Sequence, residues 1–279
     1  MKFEKEAREL YIAAHSYASR NRRAYAYQYK RLHPEVLSSI LDKKRISHTV
    51  NVGVMNIPID KIVGVVTSSE NDHLYTPDFL PLAPANSEFA DKWRSLYLDY
   101  LTDEGIRNPI GCYEYLGRFY VTDGMKRVSV LKSYGASTIS AQVIRLMPVE
   151  SNNPKIKCYN EFLKHFQLTG LYQVSFKYPE NFEKLQTALG HEPDYVWTES
   201  DRFGFMFNWY GFDRAYKKVF GEGQYLTAAD VLVAVLDDHT YSEVRKMHPW
   251  ELEATLRTTW EKIYGNTNES LYDVFKKVS

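Results

Sequence analysis

Residues Gly117–Gly135 read GRFYVTDGMKRVSVLKSYG. The pattern predicts a short strand, a tight turn at Asp123-Gly124 and a helix that follows the turn. A helix N-terminus offers free backbone N–H groups and a partial positive charge. Gly124 lets a ligand approach the backbone, and Lys126 and Arg127 add two cations in the first helical turn. The stretch therefore predicts a binding site for a phosphate group or another anion.

The composition restricts the class of protein. The chain has 279 residues, 44% apolar and 25% charged, so we expect a folded protein of one large or two ordinary domains. A formal net charge of zero argues against global attraction to nucleic acid or membrane. Two cysteines without metal-ligand spacing predict neither a disulfide framework nor a metal site. With no apolar run of about 18 residues and no secretory signal, we expect a cytoplasmic protein without a membrane partner.

Residues 1–48 are predicted to form a basic helical arm. Apolar residues at helical spacing predict a helix over residues 3–30. Arg20, Arg22 and Arg23 precede a run of alternating tyrosines, and aromatic rings interleaved with cations can stack on bases and contact phosphates. These arginines are therefore candidate nucleic-acid contacts. The alternative is an exposed basic helix end whose tyrosines pack against the rest of the protein.

Residues 49–148 are predicted to form a compact α+β domain. The elements expected here and just before it are, in chain order, a short helix at 35–42, a strand at 49–58, a turn or short helical piece at 59–63, a helix at 87–104, strands at 110–116 and 118–121, a helix at 124–134 and a strand at 138–146. Prolines and polar residues between 67 and 86 predict a long loop, and loops of that length in compact domains are often functional. Glu70, Asp72 and Asp78 of this loop are the acidic candidates to face the turn at Gly124.

Residues 155–279 are predicted to form a mainly α-helical, aromatic-rich domain after a linker at 147–154. The expected elements are helices at 159–167, 181–189, 203–220, 228–237 and 249–264 and a lone strand at 171–176. Thr227 with Asp230 has the spacing of a capping box, and Pro249 suits a first helical position. A cluster of aromatic residues in and just before the longest helix indicates either a core or a platform for stacking bases.

Four motifs follow one another between residues 55 and 146. They are the run Ile57–Ile62, the turn within Glu104–Ile110, a strand pair joined at Gly117, and Asp123–Arg127 followed by Ala136 before the final strand. In this order they resemble the ParB/sulfiredoxin superfamily, whose members include CTP-binding partition proteins, sulfiredoxins that use ATP and free-serine kinases. The resemblance covers about a third of the chain. It implies a ParB/sulfiredoxin-like mixed domain flanked by the helical arm and the helical C-terminal domain.

The resemblance also implies where a ligand would bind. In the family, nucleotide phosphates lie at a Gly-x-x-Arg turn at a helix start. The matching residues here are Gly124, Met125 through its backbone, Lys126 and Arg127. Arg107 and the turn Asn108-Pro109-Ile110 would line the same pocket. A nucleoside triphosphate, with Mg²⁺, is the ligand that this match implies.

Departures from the family pattern narrow the expected activity. Sulfiredoxins carry their nucleophilic cysteine where Met125 stands, and a thioether cannot form a thiolate, so sulfiredoxin activity is not expected. The serine kinases carry two histidines where Met125 and Lys126 stand. Asp123 could accept a substrate hydroxyl proton or hold Mg²⁺, or it could cap the helix. No basic recognition helix is recognisable after residue 150, which argues against the DNA segregation activity of partition proteins.

Three classes of function remain open. The first is a nucleotide- or phosphate-binding regulatory switch that associates with DNA through the basic arm. The second is a Mg²⁺-dependent phosphotransferase or nuclease-like enzyme with Asp123 as its catalytic residue. The third is an interaction protein that keeps the fold and binds no ligand.

Overall fold

The computed structural model describes residues 2–102, 108–221 and 226–265. The chain divides into two compact units, Met1–Glu150 and Ser151–Ser279. The protein is of the mixed α/β class, and every strand described belongs to one six-stranded sheet. None of the described helices combines the length and the hydropathy that crossing a membrane requires.

The first unit is built on that mixed sheet. Its strands are β1 (Glu35–Val36), β2 (Ile46–Pro58), β3 (Ile62–Val65), β4 (Ile110–Tyr115), β5 (Arg118–Asp123) and β6 (Thr138–Pro148). They lie in the order β1-β3-β5-β4-β6-β2. The β4–β5 and β6–β2 pairs are antiparallel, and the other three neighbouring pairs are parallel. The four strands predicted for this unit correspond to β2, β4, β5 and β6.

A shared core joins three helices of the first unit. The helices described in this unit are α1 (Lys2–Arg20), α2 (Arg22–Tyr29), α3 (Leu37–Ile40), α4 (Glu88–Tyr100) and α5 (Met125–Tyr134). Tyr11 of α1, Trp93 of α4 and Val130 of α5 are buried together. The Trp93 Nε1 atom donates to Ser129 Oγ at 3.0 Å, and the Tyr11 hydroxyl donates to the Ala83 carbonyl at 2.7 Å. Both buried rings therefore have partners for their polar atoms.

The N-terminal helix belongs to this core, which corrects the prediction of a separate helical arm over residues 1–48. Ala7 and Tyr11 of α1 are buried against α4 and the loop that precedes it. The single helix predicted over residues 3–30 is also broken, because α1 ends at Arg20 and α2 begins at Arg22. Burial of the apolar stripe of α1 stabilises the fold, and the charged face keeps its hydration because it stays in solvent.

The sequence prediction was wrong at one edge of the sheet. Residues 35–42, predicted to be a helix, form β1 and the short α3. The short helical piece predicted at 59–63 is a 3-10 helix over Ile59–Lys61, and the chain then enters β3, which was not predicted. Gly64 permits the close β1–β3 pairing, because an added Cβ there would lie 2.0 Å from the Glu35 carbonyl oxygen. Both strands are short and pair with partners distant in sequence, so neither carries a strong local pattern.

A buried ion pair lies at the centre of the sheet. Glu114 of β4 is fully buried, and its Oε2 atom accepts from Arg145 Nε of β6 at 2.5 Å. The Glu114 Oε1 atom accepts from the backbone N–H of Gly117 at 2.7 Å, in the turn between β4 and β5. One carboxylate therefore links three neighbouring strands.

Helices are the only regular secondary structure among the described residues of the second unit. Its helices are α6 (Pro154–Thr169), α7 (Asn181–Ala188), α8 (Glu199–Phe220), α9 (Ala228–Leu236), α10 (Tyr241–Val244) and α11 (Pro249–Gly265). All except α10 were predicted. The capping box of Thr227 with Asp230 and the position of Pro249 are confirmed. The strand predicted at 171–176 is wrong, because these residues bury side chains without pairing to another strand.

Aromatic rings build much of the second unit's core. Trp197, Phe205, Trp209 and Phe212 are buried, so the core interpretation of the aromatic cluster is confirmed for these four side chains. Large apolar side chains buried in this way supply most of the free energy that stabilises a helical unit.

A buried histidine lies in a second group of rings. His165 of α6 packs beside Phe176 and Phe182. Its Nε2 atom has no hydrogen-bond partner among the described residues. Burial lowers the pKa of His165 to about 4, so the imidazole stays neutral at pH 7.

We expect the second unit to lose stability on mild acidification. Between about pH 4 and pH 6.5 the unfolded chain binds a proton at His165 that the folded chain does not bind. The free energy of unfolding therefore falls as the pH falls through this window, by about 2 kcal/mol between pH 7 and pH 5. His165→Phe should remove most of this loss in thermal unfolding, whereas His248→Gln, at an exposed histidine, should keep it. An unchanged pH dependence in His165→Phe would contradict this assignment.

Candidate functional site

The turn between β5 and α5 depends on a glycine. β5 ends at Asp123, and Gly124 has a φ of 100°, in the left-handed region that glycine adopts without steric cost. An added Cβ at Gly124 would also lie 2.6 Å from Ile110 Cγ2 and 2.9 Å from Arg127 Nη2. Both the backbone conformation and the close packing therefore require glycine here.

The Arg127 guanidinium connects both sides of the turn. Its Nη1 atom donates to the carbonyl of Asn108 at 2.5 Å and to that of Pro109 at 3.0 Å. Its Nη2 atom donates to Asp123 Oδ2 at 2.5 Å. The side chain is only 14% exposed. Because three acceptors hold one planar group, the guanidinium has a fixed orientation at the start of the helix.

Asp123 does not cap the helix, so that alternative is wrong. The N-cap residue is Gly124, which has no side chain to accept from the first-turn N–H groups. The Asp123 carboxylate instead pairs with Arg127, and its side chain is 80% exposed. The first turn of α5 therefore keeps the character of an anion site.

Lys126 points to a different neighbour. Its Nζ atom lies over the Phe89 ring, 5.3 Å from the ring centroid, in the first turn of α4. The pKa of Glu88 is lowered, chiefly by its hydrogen bond from Lys92 and in smaller part by the charge of Lys126. The first turns of α4 and α5 therefore lie close together, with Lys126 between them.

The other residues of the predicted site are Met125, Asn108 and Arg107. The Met125 side chain packs against the shared core, so only its backbone remains for a ligand. The backbone carbonyl of Asn108 accepts from Arg127, and its side chain is exposed. Arg107 lies outside the described residues. Ile110, which the resemblance implied in the same pocket, packs under Gly124, where an added Cβ would lie 2.6 Å from its Cγ2 atom.

The predicted nucleic-acid contacts lie elsewhere in the first unit. Arg20 Nε donates back to the Ser16 carbonyl of its own helix at 3.2 Å, whereas Arg22 and Arg23 are exposed. Of the tyrosines that follow, Tyr25 is buried in the core and cannot stack on a base. Contact with nucleic acid through the exposed arginines stays a prediction.

The long loop does not bring a carboxylate to the turn through any contact described. The buried Asp72 carboxylate accepts from Ser68 Oγ at 3.0 Å and from the Ser69 N–H at 2.9 Å, so it organises the loop itself. The negative charge of Asp78 raises the pKa of Lys132, in opposition to burial. Lys132 lies eight residues after Gly124 and therefore about 12 Å along α5 from the turn. Within residues 2–102, 108–221 and 226–265, no three His, Cys, Asp or Glu residues cluster in a way that could hold a metal ion.

Lys132 is a buried cation that sequence reasoning missed. Its Nζ atom donates to the Ile62 carbonyl at 2.8 Å and lies over the Phe79 ring, 5.3 Å from the centroid. Burial lowers the pKa of Lys132 to about 8, against the opposing charges of Asp78 and Asp60. A lysine in the last turn of a helix is typical of a solvated helix end, so the sequence carries no sign of this burial.

Comparisons with known proteins do not extend this picture. The chain matches no protein-family model. A search of curated proteins finds no match either. The function must therefore be inferred from the geometry of the turn.

We expect Gly124→Ala to destabilise the protein more than Gly135→Ala. Both glycines have a positive φ, at opposite ends of α5, so both substitutions force alanine into a left-handed conformation, which costs about 1–2 kcal/mol. Only Gly124→Ala adds overlap with Ile110 and Arg127, because nothing lies within 4 Å of an added Cβ at Gly135. The extra loss should be about 1–3 kcal/mol in urea unfolding. Equal losses would show that the packing around Gly124 relaxes freely.

Proposed function

We propose that the first unit is a ParB/sulfiredoxin-like domain whose turn at residues 123–127 binds the phosphate groups of a nucleotide. The observation that carries the proposal is the left-handed Gly124 at the start of α5, which supplies a helix N-terminus without a side-chain cap. Such an end offers backbone N–H groups and a partial positive charge to an anion. Lys126 and Arg127 add two cations within the same turn.

The Arg127 guanidinium supports the proposal because it is already oriented. Two backbone carbonyls accept hydrogen bonds from its Nη1 atom, and the exposed Asp123 carboxylate accepts one from its Nη2 atom. A phosphate oxygen can replace that carboxylate after rotation of one exposed side chain. Arginine pairs with both kinds of anion through the same planar donors, so the Asp123 contact is a guide to the ligand chemistry.

The separation of the two cations favours several linked phosphates over a single one. Arg127 contacts the start of β4, whereas Lys126 contacts the first turn of α4. A triphosphate could engage both side chains and the helix end between them. Mg²⁺ would accompany it, held by phosphate oxygens with Asp123 as the nearest protein carboxylate in the sequence of the turn.

Binding without turnover, as in a regulatory switch, is the function that this site supports best. Met125 occupies the position of the sulfiredoxin nucleophile, and its thioether packs in the core. Arg127 already binds the Asp123 Oδ2 atom, so a metal ion or a substrate hydroxyl would compete with that ion pair for the carboxylate. The turn therefore has the groups that bind phosphates and lacks a poised nucleophile.

A second candidate function rests on the exposure of Asp123. An exposed carboxylate next to a phosphate seat could take Mg²⁺ or a substrate hydroxyl proton once a phosphate has displaced it from Arg127. The protein would then be a Mg²⁺-dependent phosphotransferase or nuclease-like enzyme.

Titration calorimetry of the full chain with ATP, GTP, CTP and UTP, with and without Mg²⁺, tests the proposal. Lys126→Met and Arg127→Lys should each weaken the binding of a nucleotide about tenfold, because each removes one charge-assisted contact. Lys164→Met, at an exposed lysine of the second unit, is the matched control and should bind as the wild type does. The proposal fails if none of the four nucleotides binds, or if both variants bind as tightly as the control.

Asp123→Asn distinguishes the switch from the enzyme. For a switch, the variant should bind nucleotide about two- to fivefold more tightly without Mg²⁺, because a competing negative charge has been removed. For the enzyme, phosphate release from the nucleotide should be measurable in the wild type with Mg²⁺ and should disappear in the variant. Asp213→Asn is the control, since Asp213 pairs with Lys217 at the same spacing on α8. If the variant keeps the wild-type rate of phosphate release, Asp123 is neither a Mg²⁺ ligand nor the acceptor of a substrate proton in that reaction.

A further inference from the structure

Helix α8 carries an exposed aromatic stripe on the face opposite its buried rings. The stripe consists of Phe203, Phe207 and Tyr210, which are 75%, 77% and 43% exposed. Their spacing of four and three residues places them on one face of the helix. Two phenylalanines three-quarters exposed on one helical face form an apolar patch of the kind that marks an interaction site.

Two glycines flank this aromatic stripe. Gly204 and Gly211 lie within α8, and an added Cβ at either position would meet nothing within 4 Å. Packing among the described residues therefore does not require them, although glycine weakens a helix interior relative to alanine. Each glycine follows a residue of the aromatic stripe by one position, so both lie about 100° around the helix from the stripe, on the same side of it. At these two positions that side of the stripe carries no side chain, and Gly211 also lines a cavity of about 210 Å³ together with residues of α10 and α11.

Charges near the two ends of α8 have complementary signs. Glu199 in the first turn and Arg214 near the far end are both exposed, and neither has an ion-pair partner among the described residues. The neighbouring lysines are already paired, Lys217 with Asp213 and Lys218 with Glu253. One acidic and one basic side chain therefore remain available at opposite ends of the aromatic stripe.

We infer that α8 pairs with α8 of a second copy of this chain, in antiparallel orientation about a two-fold axis at Phe207. Residues at equal distances on opposite sides of Phe207 then meet across the axis, to within one residue. Phe203, four residues before the centre, lies beside Tyr210, three residues after it. Gly204 and Gly211 pair in the same way, as do Glu199 and Arg214, eight residues before and seven after.

An antiparallel pair of α8 helices matches the exposed rings, the two glycines and the two end charges at the same time. A two-fold interface uses the same patch on both copies, so the patch must be self-complementary. Antiparallel pairing sets ring against ring, glycine against glycine and Glu199 against Arg214. Parallel pairing would set Glu199 beside Glu199 and Arg214 beside Arg214, where like charges repel. The charge pattern therefore selects a second, inverted copy over a parallel one.

Sedimentation velocity of the full chain between about 1 and 100 μM tests this inference, because a helix pair is a small interface for which a micromolar dissociation constant is expected. Phe207→Glu should raise the dissociation constant at least about thirtyfold, since it places two carboxylates at the two-fold axis. Tyr27→Glu, at an equally exposed aromatic residue of the first unit, should leave it unchanged. A wild-type protein that stays monomeric at 100 μM, or a dimer indifferent to Phe207→Glu, overturns the inference.

A charge exchange tests the antiparallel register. Glu199→Arg and Arg214→Glu should each weaken the dimer about twofold or more, and the variant carrying both should recover the wild-type affinity. Because these side chains are exposed, circular dichroism should show the same helix content in all variants. Failure of the doubly substituted variant to recover overturns the register. Binding of single-stranded DNA by a monomeric wild type, abolished by Phe207→Glu, would identify the aromatic stripe as a base-stacking surface and also overturn it.

Discussion

The first unit depends on one buried carboxylate at the centre of its sheet. Glu114 receives the Arg145 guanidinium from β6 and the Gly117 N–H from the turn between β4 and β5. A buried charge left without its partner costs about 3–5 kcal/mol, so strand registers that separate these groups are strongly disfavoured. The pair therefore contributes specificity of register more than net stability. Once the β4–β5 hairpin is in register, the end of β5 lies beside the start of β4.

That register creates the candidate site. It brings Asp123, at the end of β5, to the carbonyls of Asn108 and Pro109, just before β4, and Arg127 can then bind all three. Gly124 permits the approach because no side chain stands between the turn and Ile110. The result is a helix N-terminus with an oriented guanidinium and an exposed, exchangeable counter-charge. These are the properties that a phosphate-binding turn needs, and they follow from sheet register more than from the composition of the turn.

The second unit separates the two uses of aromatic residues along one helix. Rings that point inward from α8 build the core, whereas Phe203, Phe207 and Tyr210 point outward with flanking glycines. Burial stabilises the first group within one chain, whereas the second group stays exposed among the described residues. One face of the helix therefore builds the core, and the opposite face is the surface for which we propose a second helix.

Local pattern was sufficient for the long, periodic elements: β2, the β4–β5 hairpin, α5, β6 and the major helices all follow from hydrophobic period, glycine position and capping residues. It was also sufficient to locate the turn at Asp123-Gly124 and its two cations. It failed for β1 and β3, whose partners are remote in sequence, and for α1, whose charge suggested an arm although its apolar stripe is buried. Which groups Arg127 and Lys126 contact depends on strands and helices that meet only in the folded chain, because local periodicity contains no information about partners distant in sequence.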